Sequence, residues 1–176
     1  TIPYEQSASD GISSASAAYG KRIVRALVSG QDHHAISQLQ THISAYATAF
    51  DLTLRQVEHI ATNLALSYLS LEQNRYAPAM LIVFLAYVKA IHPNIFSDIK
   101  RGKMNFNDIK SIMNSGAWDQ NFDFDRLIAI IEFHSRADID VRDPRFEGYG
   151  SGMSRFFLDR MEVLPYLANG VLDDFS

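Results

Sequence analysis

The sequence predicts an all-α protein, a compact irregular array of seven or eight helices. Apolar residues recur at three- and four-residue steps along most of the chain, as they do on one face of a helix. Residues that cap helices stand before several of these apolar stripes. The one stretch that alternates like a strand, residues 139–141, is short and runs into Pro144.

The N-terminal part of the chain predicts a loose segment followed by two helices. Residues 1–16 are rich in Ser, Ala and Gly, and we expect them to form a loose N-terminal segment. A helical pattern starts at Ala17 and stops at Gly30. Asp32 is placed to cap a second helix, and the apolar stripe of that helix reaches Phe50.

The middle of the chain predicts two longer helices. Thr53 and Gln56 have the spacing of a capping box, in which each side chain binds the backbone N–H of the other residue. The helix that they open continues to the region of Leu71. The next helix, Met80 to Ile91, is apolar nearly all round, so we expect it at the centre of the core.

Three shorter helices, a loop and a last helix complete the prediction. The shorter helices run from Pro93 to Gly102, from Asn105 to Gly116, and from Asp123 or Asp125 to Phe133. Residues 136–152 predict a long loop, and the last helix holds Phe156 to Leu167, with Pro165 kinking or shortening it. The domain organisation is therefore a helical domain over residues 17–136, with residues 137–176 as a loop and a C-terminal helix packed on it.

Composition and charge narrow the classes of function. The 176 residues fit one domain or one domain with a small appendage. The chain has 16 Lys and Arg against 20 Asp and Glu, and this net charge of −4 argues against nucleic acid as a partner. It has no cysteine, which excludes disulfides, thiolate metal sites and cysteine nucleophiles. The longest uncharged apolar run, residues 77–88, spans about 18 Å as a helix, too short for membrane insertion across about 30 Å of hydrocarbon.

Motifs for metal or phosphate binding are incomplete, so no catalytic or metal-ligating residue is predicted. The six histidines show no H-E-x-x-H spacing. Asp119, Asn121 and Asp123 resemble the start of a calcium loop, but Phe124 and Ile130 stand where that loop needs glycine and glutamate. The glycine-rich residues 148–152 lack the lysine of a P-loop and favour a connector, and the acids within 138–143 favour a solvated turn.

Three aromatic residues are close together after a glycine. Trp118, the single tryptophan, is followed by Phe122 and Phe124. Aromatics in such a loop either fill the core or anchor a partner. The core is the favoured interpretation of Trp118, and a partner-binding groove formed by the three residues is the alternative. That groove is excluded if the three side chains are buried against the preceding helices.

One stretch, residues 51–109, carries a sequence of features shared with a known family. In order, the features are Leu52-Thr53-Leu54-Arg55-Gln56-Val57-Glu58, then Tyr76-Ala77-Pro78, the apolar helix Met80 to Lys89, His92-Pro93-Asn94-Ile95-Phe96, and Gly102-Lys103-Met104-Asn105-Phe106. This order resembles the C-terminal helical part of the KAP-family P-loop NTPases, over about a third of the chain. No G-x-x-x-x-G-K-[ST] occurs, so the resemblance covers only the region after the NTPase core.

The resemblance implies a non-catalytic C-terminal helical domain of a bacterial P-loop NTPase. Such a domain regulates the nucleotide site or binds a partner, and its first partner is the NTPase core of the same parent chain. ATP and Mg are then expected only in the intact parent, which is cytoplasmic and in some members acts at the inner face of the membrane. A first residue, Thr1, that is not Met fits a piece of a longer chain. The resemblance further implies that Arg55 is a phosphate sensor, since a guanidinium forms forked bonds to phosphate oxygens; a solvated arginine is the alternative.

Two other interpretations stay open. The first is a stand-alone helical module that binds another protein through Trp118, Phe122 and Phe124. The second and weakest is a metal-dependent hydrolase that uses scattered His and Asp side chains.

Overall fold

The computed structural model describes residues 14–22, 25, 33–70, 79–147, 149 and 159–170. Within them all regular structure is helical, with eight α-helices and no strand, which confirms the predicted fold class. The helices are α1 (residues 14–22), α2 (His33–Ala49), α3 (Leu54–Ser70), α4 (Ala79–Ile91), α5 (Pro93–Lys100), α6 (Phe106–Asn114), α7 (Phe124–Ser135) and α8 (Val163–Gly170). One 3₁₀ turn, Pro144–Phe146, lies between α7 and α8. No helix within these ranges is both long and apolar enough to cross a membrane.

The predicted helix starts are confirmed by their hydrogen bonds. The N–H of Thr53 donates to Oε1 of Gln56 at 2.9 Å, and the N–H of Gln56 donates to Oγ1 of Thr53 at 3.3 Å, which completes the capping box. The side chains of Asn105 and Asp123 each accept an N–H from the first turn of α6 and α7. The cap of α7 is thus Asp123, not Asp125.

Two helices end in a left-handed residue. Gly102, at the end of α5, has φ 66°, and the N–H of Lys103 returns to the carbonyl of Asp98 at 2.9 Å. The end of α2 has the same arrangement, with Asp51 at φ 47° and the N–H of Leu52 bonded to a carbonyl of the last turn at 3.0 Å. Glycine adopts this conformation freely, whereas aspartate does so with some strain.

Helix α4 lies at the centre of the molecule, as its sequence predicts. Residues 81–88 are all buried, and α4 packs against α2, α3, α5, α7 and α8. Helix α6 joins this array through α7. An element surrounded on all sides has no face for polar residues, which explains the continuous apolar run.

Helix α1 packs closely on α2 and α3 because Gly20 has no side chain. A Cβ at Gly20 would lie 2.6 Å from Cγ1 of Val57 and 3.4 Å from Cδ1 of Ile43. Residues 14–16, which we expected in the loose segment, belong to this helix. The apolar pattern that starts at Ala17 marks the face of α1 that packs on the protein, and the first turn of the helix lies before it.

The prediction for the last helix is wrong about its start. Helix α8 begins at Val163, and residues 159–162 form a turn before it, so a helix does not run through from Phe156. Pro165 is the third residue of α8, where the missing N–H has no acceptor in the helix, so it does not break the helix there. The carbonyl of Glu162 accepts the N–H of Tyr166 at 2.9 Å.

Helix α8 packs against α5, α4 and α7, and Nδ2 of Asn169 donates to the carbonyl of Lys100. Several predicted features lie outside the described residues: residues 1–13, Gly30, Asp32, Leu71, Phe156, and the glycine-rich segment 148–152 apart from Tyr149.

Candidate functional site

Arg55 lies exposed in the first turn of α3, between the two residues of the capping box, Thr53 and Gln56. Its neighbour Leu54 is 49% exposed. Among the described residues, no hydrogen bond, ion pair or ring contact joins Arg55 to another side chain or to the aromatic residues below. The guanidinium is therefore available to an outside group.

Trp118, Phe122 and Phe124 come together in the structure and form one stack. The indole of Trp118 stacks on the ring of Phe122 at 4.9 Å between centroids and on that of Phe124 at 5.1 Å. It meets Tyr46 and Phe50 of the α2 region edge-on, at 5.0 and 5.4 Å. We call these five residues the ring cluster.

Trp118, Phe122 and Phe124 all pack on the surface of the core. The indole Nε1 donates to the carbonyl of Met113 at 2.7 Å, so its one polar atom is satisfied inside the protein. All three residues are partly buried, packed on the core with some surface left to solvent. Each of the three therefore covers the core and also leaves part of its surface free for a partner.

Two local features of the chain place the ring cluster. The N–H of Ala117 donates to the carbonyl of Ala49 at 2.8 Å, which fixes the loop after α6 to the end of α2. Gly116 gives the space, because a Cβ there would lie 2.9 Å from Nε1 of Trp118 and 3.0 Å from Cζ of Phe50. The sequence gives this glycine as a helix end, which is confirmed, and its second role appears only in the packing.

The titratable side chains beneath and beside the ring cluster are uncharged near pH 7. Burial raises the pKa of Tyr46 well above its ordinary value, and Tyr87, whose ring is 4.9 Å away, raises it further. Burial likewise raises the pKa of Tyr87. Burial lowers the pKa of His42, whose ring packs against Phe122 at 5.6 Å. These groups carry no charge near pH 7, so they act as packing surface.

The rim of the ring cluster is acidic. Asp119, Asp123 and Asp125 are exposed around Phe122 and Phe124, and residues 115–125 contain no Lys or Arg. Residues 120–125 line an open depression of about 350 Å³. A partly exposed aromatic pair inside a polar rim is typical of protein contact surfaces.

A second cluster, which sequence reasoning missed, lies at the end of α7. We call it the α7 clasp: its members are Glu132, His134, Arg136, Arg145 and Arg160. Glu132 exposes only 10% of its side chain, and its two oxygens bind different arginines, Arg136 at 2.9 Å and Arg145 at 2.7 Å. Arg160 donates to the carbonyls of Phe133, Arg136 and Ala137 at 2.6, 2.6 and 2.8 Å.

The protonation of His134 follows from its partners. Nδ1 lies 2.7 Å from the carbonyl oxygen of Arg160, which only accepts, so Nδ1 carries the proton. Nε2 then accepts the hydroxyl proton of Tyr149 at 2.7 Å. Burial lowers the pKa of His134 to about 4, the carbonyl of Arg160 raises it, and the charge of Arg160 lowers it again. The imidazole is therefore neutral at pH 7.

The α7 clasp leaves one trace in the sequence. Glu132 and His134 stand in the last turn of α7, directly after the apolar run 127–131, and buried polar residues need partners. Their partners Arg145, Tyr149 and Arg160 follow 13 to 26 residues later, in stretches without periodicity. The polar residues in the last turn of α7 therefore indicate that partners exist, but the sequence does not show which residues those partners are.

An open cleft of about 440 Å³ lies between the start of α6 and the end of α7, lined by Met104, Asn105, Phe106, Asn107, Ser135 and Arg136. In the part of the chain that the structure describes, no group of three or more His, Asp or Glu side chains is arranged to hold a metal ion. Comparison with protein-family models, curated proteins and solved structures finds no match for this chain.

Proposed function

We propose that this chain is a non-catalytic helical domain that works by binding another protein surface. The observation that carries the proposal is the ring cluster, where the partly exposed Phe122 and Phe124 stack on the indole of Trp118 above uncharged side chains. Rigid aromatic side chains lose little conformational entropy when they are buried, and they supply large contact areas. The polar groups with the strongest contacts, those of the α7 clasp, bind one another and the backbone, which suits a structural role.

Cross-linking tests this contact surface. A photoreactive amino acid at position 122 or 124 of the chain, expressed in its native cell, is expected to form one discrete adduct with a partner. The matched control is position 141, because Val141 is 56% exposed and lies far along the chain from the ring cluster. Equal labelling from positions 122 and 141, or none from position 122, would refute the contact surface.

A more specific form of the proposal is that the chain is the C-terminal helical domain of a KAP-type P-loop NTPase. Two points support it: the resemblance over residues 51–109, and the exposed, unpaired Arg55 among the described residues. A cation in the first turn of a helix is unfavourable toward the helix dipole, and a functional role for Arg55 accounts for it. In this form Arg55 contacts nucleotide phosphates that the NTPase core of the same parent binds.

The reading frame upstream of Thr1 tests the NTPase form first. A G-x-x-x-x-G-K-[ST] motif between a strand and a helix is expected there. In that intact protein, Arg55→Ala is expected to lower ATP turnover at least about tenfold, as the loss of a phosphate-contacting arginine does. Arg142→Ala, an exposed arginine on the loop after α7, is the control and should leave turnover unchanged. Without an upstream P-loop, the stand-alone interaction module remains, and the isolated chain should neither bind nor hydrolyse ATP in either case.

A further inference from the structure

The carboxylates around the ring cluster are not neutralised by the chain itself. Three of them are exposed around its two phenylalanines, and we call them the acidic rim: Asp119, Asp123 and Asp125. None of the three forms an ion pair in the part of the chain that the structure describes. On the loop after α7, by contrast, Asp138 and Asp143 each pair with an arginine, at 2.7 and 2.9 Å. The acidic rim can therefore accept a cation from another molecule.

Hydrogen bonds within the loop hold the acidic rim in place. The N–H of Phe122 donates to the carbonyl of Asp119 at 2.9 Å, and the N–H of Phe124 donates to the carbonyl of Phe122 at 2.8 Å. One carboxylate oxygen of Asp119 accepts the N–H of Asn121 at 2.7 Å, and one of Asp123 accepts an N–H from the first turn of α7 at 3.1 Å. The second oxygen of each carboxylate is left for other donors. A surface that is already ordered loses little conformational entropy when a partner binds to it.

The surface combines two features that arginine side chains bind. A guanidinium forms forked, charge-assisted bonds to carboxylates, and it also stacks on aromatic rings. Residues 120–125 line the open depression of about 350 Å³, so carboxylates and phenyl rings lie side by side there. The same negative charge disfavours a nucleic acid, whose phosphates it repels. It also disfavours a second copy that presents the same face, because like charges would then meet.

We propose that the ring cluster and its acidic rim bind a basic segment of another protein, in which arginine side chains flank an apolar side chain. The arginines pair with the acidic rim, and the apolar side chain covers Phe122 and Phe124. This inference rests on the contact surface proposed above and adds the chemistry of its partner. The two fail in different ways: the contact surface fails if the aromatic residues meet no protein, and the basic partner fails if they meet a protein segment that carries no arginine.

Trp118 reports on this surface directly, because it is the single tryptophan of the chain and lies in the ring cluster. The probe is an eight-residue peptide that alternates arginine and leucine, titrated into the full chain while the indole fluorescence is recorded. We expect a saturable change. A peptide with glutamine in place of every arginine should bind at least about tenfold more weakly, and one with lysine at least about threefold more weakly. No saturable change, or equal affinity of the arginine peptide and either of the others, would overturn the proposal.

Variants of the chain separate the acidic rim from net charge. Asp119→Asn/Asp123→Asn/Asp125→Asn keeps the cap of α7, because asparagine caps a helix about as well as aspartate. It should bind the arginine peptide at least about fivefold more weakly than the parent chain. The matched control removes three exposed carboxylates on α5, on α6 and on the loop after α7: Asp98→Asn/Asp108→Asn/Asp140→Asn. Its affinity should stay within about twofold, since charges on other elements are largely screened at about 0.1 M salt. Equal losses in the two variants would contradict the proposal.

Salt gives a second measurement that does not depend on the folding of a variant. The Debye length falls from about 10 Å at 0.1 M salt to about 3 Å at 1 M. The affinity of the parent chain for the arginine peptide should therefore fall several-fold over this range. An affinity that does not change with salt would overturn the proposal.

Cross-linking distinguishes the basic partner from the contact surface. The adduct formed from position 122 is digested, and the attached partner peptide is sequenced. We expect an arginine within a few residues of the cross-linked site, and at least about threefold less adduct from Asp119→Asn/Asp123→Asn/Asp125→Asn. An adduct without a basic residue, formed equally by both chains, would overturn the basic partner and leave the contact surface standing. An adduct between two copies of this chain would also overturn it, because the occupant would then be the chain itself.

Discussion

His134 is an imidazole that the fold keeps uncharged. Its position between the carbonyl of Arg160 and the hydroxyl of Tyr149 uses both ring nitrogens, and the nearby guanidinium of Arg160 makes a second positive charge unfavourable. Burial is the largest cause of its lowered pKa of about 4. Protonation of this group is therefore linked to unfolding.

The pH dependence of stability tests this linkage. The unfolded chain binds the proton near pH 6.5 and the folded chain only near pH 4, so stability falls as the pH decreases through that window. The loss contributed by this residue approaches about 3 kcal/mol at pH 4 and below. Urea unfolding of the parent chain and of His134→Gln at pH 7, 5.5 and 4.5 measures it. The difference between the two free energies of unfolding should shrink as the pH falls, and a constant difference would contradict the assignment.

Asp51 is a residue whose replacement should stabilise the protein. It holds φ 47° at the end of α2, in the position that Gly102 holds at the end of α5. Asp51→Gly removes the steric strain of this conformation, and we expect a gain of about 0.5–1 kcal/mol after the greater flexibility of glycine in the unfolded chain is included. Asp51→Val, with a branched Cβ, should destabilise the protein. Urea midpoints that fall for the glycine variant would show that Asp51 makes a compensating contact.

At the scale of elements, Arg160 closes the end of α7 from a distant part of the chain. It reaches three carbonyls at and beyond the last turn and lies 5.4 Å over the ring of Phe133. A planar guanidinium with five donors can bind several carbonyls at once, whereas an ammonium cannot hold the same directions. The residue thus links α7 to the turn before α8.

The variant Arg160→Lys tests this cap. We expect it to lower the free energy of unfolding by about 1–2 kcal/mol, because three carbonyls, one of them partly buried, lose charge-assisted donors while the charge itself remains. Arg142→Lys, at an exposed site, should change it by less than about 0.5 kcal/mol. Chemical denaturation of both variants gives the comparison, and similar values for the two would exclude a special role of the guanidinium.

The sequence predicts best those helix ends that depend only on residues close to them along the chain. The capping box at Thr53, the caps Asn105 and Asp123, and the turn at Gly102 act within a few residues, so their signals are complete in the local sequence. The start of α8 could not be predicted, because a proline within an apolar stripe indicates a kink in a helix as readily as the first turn of one. The α7 clasp was missed because its partners are far apart along the chain.

At the scale of the whole molecule, α4 was placed correctly because a helix without a polar face has only one possible position. Which helices surround it could not be predicted, because an amphipathic stripe shows that a face is buried but not against what. The ring cluster shows the same limit: the sequence offered both the core and a partner for Trp118, and the distances to Tyr46 and Phe50 were needed to place its indole toward the core.

Substitution of a buried and of an exposed leucine tests how strongly the stability of the protein depends on the central helix α4. Leu85 is fully buried in α4, and Leu54 is 49% exposed at the start of α3. Leu85→Ala should lower the free energy of unfolding by about 2–5 kcal/mol, since it removes apolar burial and leaves a cavity. Leu54→Ala should change it by less than about 0.5 kcal/mol. Thermal and urea unfolding of both variants check the prediction, and comparable losses would mean that Leu54 is covered in solution.

The central position of α4 also has a consequence during synthesis of the chain on the ribosome. Helix α8 supplies buried residues to the same core, and its bond from Asn169 to Lys100 spans 69 residues of chain. At ordinary rates of synthesis those residues take roughly 3 to 14 s to make. During that interval the nearly wholly apolar helix α4 lacks a neighbour that helps to bury it, so we expect the nascent chain to need a chaperone that shields exposed apolar segments.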